Sequence, residues 1–251
     1  MRLLLTADLH YTLKQWDWLS RVAERYDAIV LAGDHLDIAS LVEVDVQALV
    51  VLKYLRKLEG RTRLLVSSGN HDGDERTPAN ESVARWLEQA RSAGVLVDGD
   101  TGIIGGWRFT VCPWWDGPET QREVAGLLAR EAGDRSAPWL WVYHAPPDHT
   151  RVSWTGKGHF GDPVLADWVR QYRPRMVLGG HVHQAPFRPP GCWVDQLDGT
   201  WLFNAGRQVG PEPAFVALDL AAMTARWCSQ AGEETLELNR PLDYAGLARV
   251  V

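Results

Sequence analysis

The chain has 251 residues, 45% of them hydrophobic and 23% charged, with a formal net charge of -6. That length sustains one large domain with a sizeable buried core, and the interspersed charges leave no basic tail or stripe to track a nucleic-acid backbone. Cys112, Cys192 and Cys228 are far apart, odd in number and form no CxxC pair, which argues against a disulfide framework and makes a reducing compartment the expectation.

The first apolar run, Leu3 to Thr6, meets Asp8 and His10 almost at once. It is too short for a signal sequence and reads as a strand of the mature fold. No apolar stretch approaches the roughly 20 residues of a membrane-spanning helix. A cytoplasmic, single-domain protein spanning residues 1–251 is expected. Further runs rich in Val, Ile and Leu follow at Ala28 to Ala32, Leu64 to Ser67, Trp139 to Tyr143 and Met176 to Leu178. Continuous apolarity of this length suits strands buried on both faces. Between them, helical spacing marks Trp16 to Arg25, Leu41 to Leu58, Thr77 to Ala93 and Pro163 to Tyr172. Thr77 and Asp162 stand at N-cap positions, each followed by a proline, and Gly94 can close the third helix. The alternation defines an α/β layered fold. From Trp193 the runs shorten, at Trp193 to Leu197, Trp201 to Phe203, Ala214 to Leu218 and Thr224 to Cys228, and predict a second, mixed or antiparallel sheet.

Each of the five buried-strand candidates ends in metal-binding residue types: Asp8-Leu-His10, Gly-Asp34-His-Leu-Asp37, Gly-Asn70-His71-Asp72, His144-Ala-Pro and Gly-His181-Val-His183. Singly, each of these is an ordinary turn after a strand. Together they matter, because loops at the carboxyl ends of α/β strands converge on one crevice. Asp, Asn and neutral His supply the mixed oxygen and nitrogen donors suited to Mn, Fe or Zn, whereas Mg or Ca favours oxygen alone.

The five blocks, D-x-H, G-D-x-x-[D/E], G-N-H-[D/E], an isolated His and G-H-x-H, resemble those of the calcineurin-like metallophosphoesterases. The resemblance covers Asp8 to His183. It implies a four-layer α/β/β/α sandwich of two mixed β-sheets flanked by helices. It also implies two divalent metal ions, one on Asp8, His10, Asp34 and His183, the other on Asp34, Asn70, His144 and His181. Asp34 would bridge them, holding two cations about 3.5 to 4 Å apart. A water shared by the metals would supply hydroxide near neutral pH for in-line attack on phosphorus. His71, outside the ligand set, is the candidate for protonating the leaving oxygen, with Asp72 as its orienting partner or an exposed loop carboxylate. Asp37 has the same two readings.

The segment from Ala145 to Gly161 follows His144 and forms a candidate rim, carrying His149, Arg151, Trp154, Lys157 and His159. Arg151 and Lys157 suit phosphate and Trp154 suits a base, against the commoner reading of a solvated loop. Trp114 and Trp115 offer a second aromatic wall, with core packing expected for at least one. His35 is expected near the ligands without being one. The run His144-Ala-Pro-Pro with Gly-His-Phe-Gly-Asp-Pro is similar to small bacterial-type phosphodiesterase branches that act on cyclic nucleotides and related diesters. Asn204-Ala-Gly-Arg stands where many members have Asn-Pro-Gly-Ser. A phosphodiesterase for a small phosphate ester is therefore expected. The rivals are a nuclease or phosphomonoesterase of the same superfamily, and a non-catalytic interaction module, against which the complete ligand set argues. Oligomeric state is open.

Overall fold

The computed structural model describes residues 1–91 and 93–244. Strands and helices alternate from the start as β1 (Arg2–Thr6), α1 (Leu13–Val22), β2 (Ala28–Ala32), α2 (Val44–Glu59) and β3 (Arg63–Ser67). A hairpin of β4 (Glu75–Arg76) and β5 (Ser82–Val83) leads to the one-turn α3 (Glu88–Arg91), β6 (Leu96–Val97), β7 (Thr101–Ile104) and β8 (Trp107–Val111). Next come α4 (Pro118–Glu131), β9 (Trp139–Val142), α5 (Pro163–Tyr172) and β10 (Met176–Gly179). The last strands are β11 (Val194–Leu197), β12 (Thr200–Asn204), β13 (Phe215–Asp219), β14 (Thr224–Ser229) and β15 (Gly232–Glu237).

Two mixed sheets result, ordered β15-β14-β13-β1-β2-β3-β6 and β11-β12-β10-β9-β8-β7. Strands β1, β2 and β3 run parallel in the first, and β8, β9, β10 and β12 in the second. The period of two along each strand explains the continuous apolar runs. Leu3, Leu5, Val30, Leu140, Val142 and Leu178 enter the core between the sheets. Their alternates face outward: Leu4, Ile29, Leu31 and Val66 pack with α1 and α2, while Trp141, Tyr143 and Val177 pack with α4 and α5. A fully buried Leu or Val contributes about 1.5–3 kcal/mol, so both faces must be covered. Four layers follow, as expected for the calcineurin-like phosphoesterase fold.

Three expectations are corrected. The segment Thr77 to Ala93 is not one helix, and Thr77 and Pro78 do not start one. Thr77 to Glu81 is a tight loop with Asn80 at φ 65°, and among the described residues of the segment only Glu88–Arg91 is α-helical. Tertiary bonding wins over local propensity here: the buried Glu81 carboxylate accepts from the amides of Glu119 and Thr120 at 2.8 and 2.7 Å, capping α4. That helix has no counterpart among the expected elements. In the second correction, α2 begins at Val44, after Leu41, because the Gln47 side chain binds the backbones of Asp37 and Val42 and rounds residues 37–42 into a loop. Third, the late strands do not make one sheet. β12 pairs with β10, whereas β13 pairs with β1 and leads the antiparallel β13-β14-β15 ribbon onto the first sheet. By contrast α5 starts as read, with the Asp162 carboxylate accepting from Leu165 N at 2.9 Å and Pro163 in the first turn.

Candidate metal centre

The carboxyl ends of β1, β2, β3, β9 and β10 meet where the two sheets approach. The loops after β1 and β2 are zipped together, Asp8 N donating to Gly33 O at 3.0 Å and His10 N to Asp34 O at 2.9 Å. Asp8, His10, Tyr11, Asp34 and His181 all adopt left-handed backbone, with φ of 57, 41, 55, 54 and 70°. Left-handed L-residues cost roughly 1–2 kcal/mol each, and such strain persists only where the surroundings enforce it. Glycines make the crowding possible. A Cβ on Gly33 would lie 2.3 Å from the His144 ring, one on Gly69 2.2 Å from Asp34 Oδ1, and one on Gly180 2.6 Å from Asp8 Oδ2.

Two groups of donors form. In the first, ligand atoms of Asp8, His10, Asp34 and His183 lie within 4.8 Å of one another, and in the second those of Asp34, His144 and His181 do so. His10 Nε2 and His183 Nε2 are 3.2 Å apart. His183 Nε2 is 3.2 Å from Asp8 Oδ1, His144 Nε2 is 3.2 Å from Asp34 Oδ2, and His181 Nδ1 is 3.2 Å from His144 Nε2. Asp34 thus belongs to both groups. Its other oxygen, Oδ1, accepts from His71 N at 2.9 Å, and Asp8 accepts from His181 N at 3.0 Å. His144 Nδ1 contacts Ala32 O at 2.7 Å, which places a proton on Nδ1 and turns Nε2 toward the cluster.

The donor set fits divalent transition metals. Asp8 and Asp34 are 1% and 2% exposed, yet among the described residues every ion-pair partner of either is a histidine. Buried carboxylates without Lys or Arg call for a cation. Burial would raise both carboxyls, but contacts with His183 and His144 hold Asp8 low, and His144 and the His71 amide hold Asp34 low. Burial takes His10 and His181 down to about 4, leaving the neutral imidazoles that metals bind. Burial also opposes charge on His144, yet Asp34 and Asp8 outweigh it and hold that ring up at about 9.

Asn70 is exposed and lies between Gly69, which has room for no side chain beside Asp34 Oδ1, and His71, whose amide donates to that oxygen. His71 forms a third group with His10 and Asp37, its Nδ1 being 3.9 Å from Asp37 Oδ1. Asp72 is neither exposed nor the partner of His71. It is buried and accepts from His35 N, Leu36 N and Gly69 N at 2.8, 2.9 and 2.8 Å, clamping the β2 and β3 loops. Asp37 and Asp34 are the carboxylates beside His71, one at each ring nitrogen. His35 is buried with Nε2 on Ser67 O at 2.8 Å, behind the site.

Trp114 reaches the centre, its ring 5.8 Å from that of His144 and 5.5 Å from that of His181. Trp115 stacks on Tyr143 at 4.1 Å in the core. Residues 145–161 fold into a compact loop in which Asp148 N donates to Asp162 O, Asp162 N to Pro146 O and Phe160 N to Ser153 O. Arg151 is engaged elsewhere in the fold. Its guanidinium lies 3.6 Å over the Tyr244 ring and its amide donates to Asp195. Trp154 packs in T-shaped contact with His159, among the described residues making no contact with a ligand of either group. Lys157 and His149 are exposed at the loop surface.

Two residues absent from the expected set stand at the centre. Phe160, 61% exposed, stacks on His181 at 5.1 Å and 23°. Arg207 donates its amide to His183 O at 3.2 Å and places positive charge near His10. An exposed apolar residue carries no sequence signal for chemistry, whereas Arg207 sits in the Asn204-Ala-Gly-Arg departure.

A model of the calcineurin-like phosphoesterase family matches residues 1–185, and the chain belongs to that family. It is a hydrolase of phosphoester bonds that uses divalent metal ions. The fold is similar to that of TT1561 of Thermus thermophilus, with TM-score 0.60 and 14% identity over 94% of this chain and 98% of that one. A purple acid phosphatase from yellow lupin seeds aligns with TM-score 0.56 and 14% identity over 97% of this chain and 52% of its own. A dimetal phosphatase from Danio rerio aligns with TM-score 0.53 and 11% identity over 95% and 99%. No curated protein sequence matches the chain. Among the described residues, no helix is long and apolar enough to cross a membrane.

Proposed function

We propose that the 251 residues work as one domain hydrolysing small phosphodiesters, cyclic nucleotides or related compounds, at a pair of divalent cations. The observation that carries this is the sharing of Asp34 by two groups of carboxylate and imidazole donors. Asp8, His10, Asp34 and His183 would hold one cation and Asp34, Asn70, His144 and His181 the other, with Mn, Fe or Zn favoured by the donors. When bound, such a pair supplies an acidified water and neutralises charge on the phosphoryl oxygens.

The chain's own residues supply orientation and protons. Asp34 is fixed by the His71 amide, and His144 by the Ala32 carbonyl, so neither ligand needs to reorganise. His71 is the proton donor in this reading. Ile38 N–H approaches its Nδ1 at 3.4 Å, and Nε2 faces the centre 4.0 Å from Asp34 Oδ2. As an imidazolium, the ring would pass its Nε2 proton to a leaving-group oxygen over Asp34 and return to the neutral form. Asp72 acts by holding the loops rather than by touching substrate.

The absence of a basic stripe in the sequence speaks against a nuclease acting along several phosphates. The test is metal analysis of the purified protein with Mn-supplemented assays on p-nitrophenyl phosphate, bis-p-nitrophenyl phosphate and cyclic nucleotides. Turnover of diesters over monoesters is expected. Fully metallated protein that cleaves none of the three would overturn the proposal.

A further inference from the structure

Arg207 stands out because its backbone is fixed on every side while its charge is not used. Asn204 builds the turn before it: its side-chain amide donates to Val152 O and Val182 O, each at 3.0 Å, and its carbonyl accepts from Gly206 N at 2.8 Å. Gly206 takes φ 71°, where a Cβ would strike Pro186 and Phe187 at 2.7 to 2.9 Å, so the turn admits no larger residue there. Arg207 N then bonds to His183 O. One residue on, Gln208 O accepts from the buried Gln15 side chain at 3.0 Å, and Gly210 O accepts from the same group at 3.2 Å. Gln15 belongs to α1, which follows His10. The loop is therefore pinned between the His183 loop and the helix leading from His10.

The side chain carried there is half-buried, and among the described residues its guanidinium makes no hydrogen bond or ion pair. Arginine rarely gives up its hydration for nothing, since burying an unpaired charge is costly. Its planar fork matches the oxygens of a phosphoryl group. The reaction brings such a group to the neighbouring ligands, whereas Arg151 is engaged by Tyr244. We propose that Arg207 is a substrate-positioning residue that pairs with a non-bridging phosphoryl oxygen on the His10 and His183 side of the centre. This rests on the phosphoesterase reading above and gives it a second anion contact that the five sequence blocks do not supply.

The test is calorimetric binding of inorganic phosphate to Mn-loaded wild type, R207Q and R207K, beside metal content and steady-state kinetics on bis-p-nitrophenyl phosphate. A charge-assisted pair is worth about ten- to a hundredfold in affinity. R207Q is expected to weaken phosphate by that factor and to raise KM more than it lowers kcat, with metal content unchanged. R207K should recover only part of the loss, because an ammonium lacks the fork. Unchanged phosphate affinity in R207Q, no phosphate binding by the wild type, or loss of metal in place of phosphate would each overturn the assignment. Phosphate binding is read without turnover, so a protein that binds phosphate through Arg207 but cleaves no ester would sink the diesterase reading alone.

Discussion

The two donor groups share Asp34 but differ in protons. His144, in the second group, is fully buried and tied to Ala32 O, and the surrounding carboxylates keep its ring charged in the metal-free protein. His10, in the first group, is held neutral by burial, and its neighbour His183 is 29% exposed at the side chain. The first group thus keeps His10 neutral, while the second carries a proton on His144 that a cation must displace. Two cation sites built from the same residue types need not fill alike.

The largest effect expected comes from the residue that joins them. Asp34→Asn removes the shared charge, so both cations should be lost or greatly weakened. Two contributions of several kcal/mol each disappear with them, and turnover should fall at least about 10⁴-fold. Metal analysis after gel filtration checks this. Retention of two tightly held ions would break the comparison at its root, making each group independent. His71→Ala leaves both groups intact and should retain metal while lowering turnover by about 10²- to 10⁴-fold, the range for a general acid or base. Turnover at the wild-type rate would remove His71 from the chemistry.

Protons give the next test. The raised His144 pKa stabilises the metal-free fold fully below its ordinary value near 6.5, and that contribution is lost as pH rises toward 9. A cation entering the second group must displace this proton. Its affinity should therefore rise with pH, by up to about tenfold per unit, until about 9, with roughly one proton released per ion at pH 7. His10 imposes no such slope above its value of about 4. Calorimetry in buffers of different ionisation enthalpy reads the proton count directly. Two ions that bind with the same pH slope would erase the distinction between the groups.

The sequence carried the strands of the centre well because both physical requirements are local. A strand buried on both faces must be apolar throughout, as in Ala28–Ala32, and the residues that follow it must be polar to reach the crevice. Positions 8, 10, 34, 144, 181 and 183 stand together in space for that reason. What stayed hidden depends on partners far along the chain. Nothing near Glu81 shows that its carboxylate will cap a helix at Pro118, so its segment keeps the spacing of a helix it does not form. Asp72 reads as a neighbour of His71, yet its hydrogen bonds reach back to residues 35 and 36. Arg151 reads as a phosphate contact until Tyr244 covers it.

The smallest effect concerns the wall on the second group. Phe160 is 61% exposed, which for a large apolar ring is unfavourable unless something covers it, and among the described residues its one ring contact is the stack on His181. A planar leaving group placed over the second group would cover it. Aromatic pairs of this kind are worth about 0.5–1.5 kcal/mol, or roughly two- to tenfold. Phe160→Ala should therefore raise KM for bis-p-nitrophenyl phosphate by that factor and leave inhibition by inorganic phosphate unchanged, because phosphate has no ring. Steady-state kinetics with both compounds separates the outcomes. If KM stays fixed, Phe160 only packs on His181. If both constants move, the ring is shaping the second group itself, and its loss should then also weaken the more pH-dependent of the two cations.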